Sequence, residues 1–164
     1  MSTAIIKNEP IPMVLRRLNS LMKIPFGKKL FTLAICTKSP YFASIKPKLI
    51  ELRPGHSEWS MKKRRSVENH LGTVHALAMG NICELAAGTL MEVSLSTRKR
   101  WIPKDTHIEY LAKAKTDLRA LANISYQEID SNGDTHVIVN VMDLEGTTVV
   151  RAKINMWVSD KKAG

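Results

Sequence analysis

A chain of 164 residues, 44% hydrophobic and 24% charged, has the length and composition of one globular domain with its own core, which excludes a disordered or fibrous protein. Its two cysteines, Cys36 and Cys83, are too few for a disulfide framework and point to a reducing, cytoplasmic compartment. The formal net charge of +10 is uneven: residues 1–50 hold nine Lys and Arg against Glu9 alone, and the remainder sixteen against fourteen acids, so the basic character belongs to the N-terminal segment.

That segment, residues 1–43, reads as two basic amphipathic helices. Pro12 suits a first helical turn, and Val14, Leu18, Leu21 and Met22 form an apolar stripe with Arg16, Arg17 and Lys23 off it. Pro25 and Gly27 break the first helix, and KKLFTLAICT supplies the second. No apolar run approaches the roughly 20 residues that a spanning helix needs, and the chain does not open with the order of a signal peptide.

Residues 44–160 read as one further unit, with 161–164 as a tail. Strands are expected over 48–53 and 57–63, joined at Pro54-Gly55. A long apolar helix follows over about 75–95, and then extended segments near 101–115, 117–130, 134–144 and 147–158. SNGD at 131–134 and EGT at 145–147 are hairpin signals. THVIVNVMDL and TTVVRAKINMWV alternate apolar and polar residues, as strands with one wet face do. A single apolar helix must be wrapped, and the antiparallel sheet is the material available. The expected class is α+β: a curved antiparallel sheet around a central helix. His56, His70, His75, His107 and His136 show no metal-ligand spacing, so no metal is expected.

The chemistry concentrates in NHLGTVHALAMGNICELAAGTLMEV, residues 69–93. Here a carboxylate, Glu84, stands in the middle of a helix that the pattern would bury, and a lone buried carboxylate is costly. At about 100° per residue, Leu77, Gly80, Asn81, Ala87, Gly88 and Met91 share its face. Two glycines one turn to either side mean either close packing or open space for a ligand. At the N-terminus, Asn69, Gly72 and Thr73 form a polar turn before His75, and the free N–H groups of Ala76 and Leu77 can hold a developing oxyanion. A carboxylate further along the helix can activate water or attack directly.

Asn69, Gly72, His75 and Glu84 also stand in the register of N-x-x-G-x-x-H followed nine residues later by an acid. This resembles the hotdog-fold acyl-CoA thioesterases of the PaaI-like kind, over about residues 44–158. The resemblance implies a hotdog fold and hydrolysis of an acyl-CoA thioester, with coenzyme A as part of the substrate and no cofactor. Glu84 would be base or nucleophile, Asn69 would position water, Ala76 N–H would polarise the carbonyl, and His75 would orient the helix start. Gly72, Leu77, Gly80, Asn81 and Gly88 would line the substrate, and Arg98, Arg100 and Lys113 would meet its phosphates. A homodimer or dimer of dimers is implied, with the site at the interface.

The sequence departs from that pattern at three places. Ala76-Leu77 replaces Gly-Gly, Glu84 replaces the usual Asp, and YLAKA places Ala112 where a serine is usual. These leave a second expectation open, a non-catalytic binder of acyl-CoA or another lipid ligand. The N-terminal helices are expected to pack as structure or to meet an anionic membrane surface. Nucleic acid is not an expected partner, because the break carries a proline and the second helix is largely apolar.

Overall fold

The structure, a computed structural model, describes residues 10–125, 129 and 131–161. Helices α1 (Met13–Leu21) and α2 (Gly27–Lys38) and a 3-10 turn (Pro40–Ile45) precede strands β1 (Lys48–Arg53) and β2 (His56–Met61). Helix α3 (Ala76–Ser94) follows, and then β3 (Lys99–Tyr110), β4 (Leu118–Asn123), β5 (Gly133–Met142) and β6 (Thr148–Asp160). The six strands form one antiparallel sheet in the order β1-β2-β4-β5-β6-β3.

Period-two alternation decides which face of that sheet meets the helix. Trp59 lies opposite Ala120, Ala120 opposite Val141, Val139 opposite Ala152 and Val137 opposite Ile154. All of these are fully buried, as are Ile82, Leu85, Ala86 and Leu90 of α3. Each large apolar side chain so buried contributes roughly 1.5–3 kcal/mol. The indole and hydroxyl groups of Trp59, Ser57 and Thr89 inside this core are paired. Trp59 Nε1 donates to Thr89 Oγ1 at 3.0 Å and to Ser57 Oγ at 3.2 Å, and Thr89 Oγ1 bonds the Leu85 carbonyl at 2.7 Å.

This is the hotdog arrangement that the resemblance implies: a long helix wrapped by a curved antiparallel sheet, with extra N-terminal helices. The EGT signal joins β5 to β6, whereas SNGD is no tight hairpin: β4 ends at Asn123, and Gly133 and Asp134 already belong to β5. The segment expected at 117–130 is a strand only over Leu118–Asn123, and residues 126–128 and 130 fall outside the described residues. By length and composition α3 does qualify as a membrane-crossing helix, contrary to the sequence expectation, yet two-thirds of it is buried within the fold.

The N-terminal helices fold back on the same core. Leu18 of α1 and Phe31 of α2 are buried, with Val14, Leu21 and Ile35 packed beside them. Met22 falls past the end of α1 and is exposed, so the stripe read from the sequence stops one residue earlier. Asn81 of α3 ties the following turn in place, its amide donating to the Tyr41 carbonyl and to Ser44 Oγ, both at 3.1 Å.

Candidate functional site

The loop before α3 is shaped by Asn69. Its Oδ1 accepts the N–H groups of Leu71 at 2.9 Å and Thr73 at 3.2 Å, and its Nδ2 donates to Thr73 Oγ1 at 2.9 Å. Gly72 closes the turn at φ +70°, a backbone state that side chains disfavour. Both flanks are pinned, Val74 N–H to the Ala114 carbonyl at 2.9 Å and His75 N–H to the Val67 carbonyl at 2.8 Å. The chain is therefore held rigidly as it turns into the helix.

His75 is the N-cap of α3, and its Nδ1 accepts the Leu77 N–H at 3.1 Å. That bond uses one of the two N–H groups expected to hold an oxyanion. The Ala76 N–H keeps no acceptor among the described residues. The Ala76 carbonyl accepts the Tyr110 hydroxyl at 3.3 Å, and burial together with Cys83 raises the Tyr110 phenol, so it stays a donor. Leu77 is 66% exposed beside this group. Burial pushes the Cys83 thiol up to about 12, which removes it as a nucleophile.

Strand β3 runs along α3 in the opposite direction. Tyr110 meets Ala76, a Cβ on Gly80 would lie 3.3 Å from Ile108 Cδ1, and a Cβ on Gly88 would lie 3.1 Å from Trp101 Cη2. The glycine positions are thus occupied by side chains of β3, which favours close packing over the open-space reading. By helical spacing Glu84 falls between these two contact points. It is exposed, and no hydrogen bond or ion pair among the described residues engages its carboxylate. The sequence pattern implied a buried carboxylate. β3 touches this flank on either side of Glu84 and leaves the carboxylate itself exposed, so a single chain bears little desolvation cost.

Helix geometry separates the two reactive features. Ala76 and Glu84 are eight residues apart, about 12 Å along the axis, beyond the reach of one glutamate side chain. Within one chain they do not meet on one carbonyl.

A cleft of about 160 Å³ lies beside the helix start, between His75, Leu77, Asn81, Tyr41, Ser44 and Glu68. Tyr41 and Ser44 come from the turn after α2, a contribution that no local sequence signal marks. Asn81 is buried there, and its Oδ1 has no partner among the described residues. A second cleft of about 190 Å³ lies between α1, the end of α3 and the start of β3, and includes Arg100, Trp101 and Glu92. The basic residues are therefore split. Lys113 is exposed next to Ala114 at the helix start, while Arg98 and Arg100 are exposed at the other end. Arg100 Nε donates to Ser159 Oγ at 3.2 Å.

Among the described residues one group has metal-ligand geometry: Glu51, His56 and Glu58, with ligand atoms within 4.8 Å of one another. Its carboxylates are already engaged, Glu51 by Arg53 and Glu58 by Arg119, and Arg53 holds the Glu51 carboxyl below the usual range. His56 Nδ1 bonds Asn123 Oδ1 at 2.8 Å. With both acids neutralised by arginines, the group reads as an ion-pair cluster on the outer sheet face.

The sequence profile of a family described as a domain of unknown function, DUF4442, matches residues 27–158. A crystal structure described as a genomics target is 41% identical over 90% of this chain and 99% of that one, with a TM-score of 0.80. A thioesterase from Haemophilus influenzae superposes with a TM-score of 0.69 at 12% identity, covering 79% of this chain and 89% of that one. A hypothetical thioesterase from Streptococcus pneumoniae, crystallised with coenzyme A, gives 0.64 at 17% identity, covering 78% and 99%. The last two share the fold. No curated protein matches.

Proposed function

We propose that this chain, which belongs to the DUF4442 family and has the hotdog fold, is a thioester hydrolase acting on acyl-CoA or a related acyl thioester. The observation that carries the reading is Glu84, an exposed carboxylate unengaged among the described residues on a helix two-thirds buried, nine residues after an N-capping histidine. Coenzyme A in a fold relative supports the substrate class.

The 12 Å gap is closed by a second copy. Two copies whose α3 helices run antiparallel with Gly80 at the level of the two-fold axis set Glu84 of one chain at the level of the partner's Ala76, since each lies four residues from Gly80. The same pairing sets Gly88, and with it Trp101 and Arg100, opposite the partner's Gly72 loop, where Lys113 also stands. Basic groups that are split in one chain then converge on one thioester's phosphates. A homodimer is the proposed minimal unit. Its long exposed edge strand β3 and the 66% exposed Leu77 fit such an interface.

In the proposed reaction the Ala76 N–H polarises the thioester carbonyl, a contribution of roughly 3 kcal/mol in the transition state. Glu84 takes a proton from water, and the resulting hydroxide adds to the carbonyl carbon. The tetrahedral intermediate collapses, the C–S bond breaks, and the thiolate leaves with the proton returned from Glu84. Asn69 keeps one amide hydrogen beyond its loop bonds for that water. In the direct variant the Glu84 carboxylate attacks instead, and water opens the anhydride.

Hydrolysis measured across acyl chain lengths tests the reading. The wild type is expected to turn over at least one class, and Glu84→Gln to lose that turnover. A second reading, binding without turnover, draws on Leu77 over the helix start and on Ala112. It predicts coenzyme A affinity with no hydrolysis of any thioester.

A further inference from the structure

The connection between α1 and α2 carries a bulky side chain where the fold makes no use of it. Phe26 is 80% exposed and sits at φ +61°, a conformation that disfavours large residues. The loop is nonetheless fixed. Ile24 N–H bonds the Leu21 carbonyl at 3.2 Å, Gly27 N–H bonds the Ile24 carbonyl at 3.2 Å, and Leu30 N–H bonds the Phe26 carbonyl at 3.1 Å. A Cβ on Gly27 would fall 1.8 Å from the Leu21 carbonyl oxygen, so the two helices meet too closely for any other residue. The hairpin thus presents Phe26 outward on a rigid support.

Phe26 does not stand alone. Leu30 and Leu33 follow it at i+4 and i+7, at 43% and 62% exposure, and Ile24 beside them is 48% exposed. Phe31, on the opposite face of α2, is buried against the core. The same two helices and their connection carry the exposed cations Lys23, Lys29, Arg16 and Arg17, and residues 10–50 contain no acid.

We infer that the α1–α2 hairpin docks the protein on an anionic lipid surface, with Phe26, Leu30 and Leu33 entering the headgroup boundary and the hairpin's cations meeting lipid phosphates. An exposed apolar stripe on a hairpin that also carries exposed positive charge is what an interfacial helix needs. A second copy of the chain on this face would set two predominantly basic segments against each other. A nucleic acid would satisfy the cations and leave the apolar stripe without a partner. This surface is independent of the chemistry proposed for Glu84.

The test is co-sedimentation of the full chain with phosphatidylcholine vesicles, with and without about a third phosphatidylglycerol. Binding is expected on the anionic vesicles at low salt, at least about tenfold weaker on neutral ones, and lost near 0.5 M salt, where the screening length is a few ångströms. The Phe26→Gly, Leu33→Ser double variant is expected to bind about tenfold more weakly with its thermal melt retained, because glycine tolerates the positive φ. Phe26→Trp supplies a second readout, quenching of its added fluorescence by brominated anionic lipid. Four outcomes overturn the inference: equal binding to neutral vesicles, wild-type binding by the double variant, no quenching of Phe26→Trp, or preferential retention on duplex DNA. A double variant that only changes the oligomeric state in solution, with vesicle binding absent in the wild type, assigns the face to a second copy and overturns it too.

Discussion

Glu84 is exposed in the single chain and has no partner among the described residues, so its removal separates chemistry from folding. Glu84→Gln is expected to lower kcat about a thousandfold, within the range for a positioned base, while Tm stays within a degree or two of wild type. A matched fall in Tm would instead make Glu84 a structural group. The flanking glycines make a paired test. Gly80→Ala gains about 1 kcal/mol of helix propensity and meets only the flexible end of Ile108 at 3.3 Å, so it is expected to raise Tm slightly. Gly88→Ala meets the rigid Trp101 ring at 3.1 Å and is expected to lower it. Thermal melts of both variants check the signs. These glycines show how much of the site was legible in sequence. Their spacing on the Glu84 face marked a surface that something must approach, but periodicity along one helix says nothing about which strand arrives. Glu84 itself was visible as a charge out of pattern, whereas its exposure depends on which flank the sheet leaves open. Asn69 and His75 were legible as a turn and a cap because both act within a few residues of themselves. Tyr41 and Ser44 reach the same cleft from about forty residues upstream and left no local sign.

At the scale of elements, local pattern fixed most of the strands and none of their order. VIVNVM alternates and is β5, and Pro54-Gly55 is the turn of the β1–β2 hairpin. That β4 runs between β2 and β5, and that β3 becomes an edge beside β6, follows only from closing the sheet on α3. Helix and sheet are joined by hydrogen bonds as well as apolar contact. Thr89 accepts from Trp59 and bonds back to the Leu85 carbonyl, so Thr89→Val, similar in shape, leaves the buried indole N–H with Ser57 alone. A loss of about 1–3 kcal/mol is expected in urea denaturation, the cost of underpaired buried polar groups. A loss below a few tenths would mean that Ser57 satisfies the indole unaided.

For the whole molecule, the proposed catalytic unit is two chains. Leu77 is 66% exposed in one chain, so Leu77→Lys should leave the fold of each chain unchanged. On the proposed arrangement it introduces like charges at the interface, and sedimentation equilibrium is expected to show a shift from dimer to monomer with loss of hydrolysis. A monomeric wild type with full activity would remove the partner from the mechanism. Cysteine labelling gives an independent readout of global integrity. Cys83 is fully buried with its thiol pushed up to about 12 by desolvation, whereas Cys36 is partly exposed. A thiol reagent near neutral pH should modify Cys36 first and Cys83 only as the chain unfolds.

The sheet order also sets a timetable for biosynthesis. β3 is made before β4 and β5, yet its only described neighbour is β6, the last-made of the six strands. As the chain leaves the ribosome, α3 emerges after β1 and β2 but before β4, β5 and β6, and β3 waits unpaired until β6 is made. Closure is therefore a late, long-range event, slow in the way that non-local strand pairing is slow. An apolar helix is covered only by the earlier β1 and β2 meanwhile, which makes the nascent chain a natural client for holding chaperones.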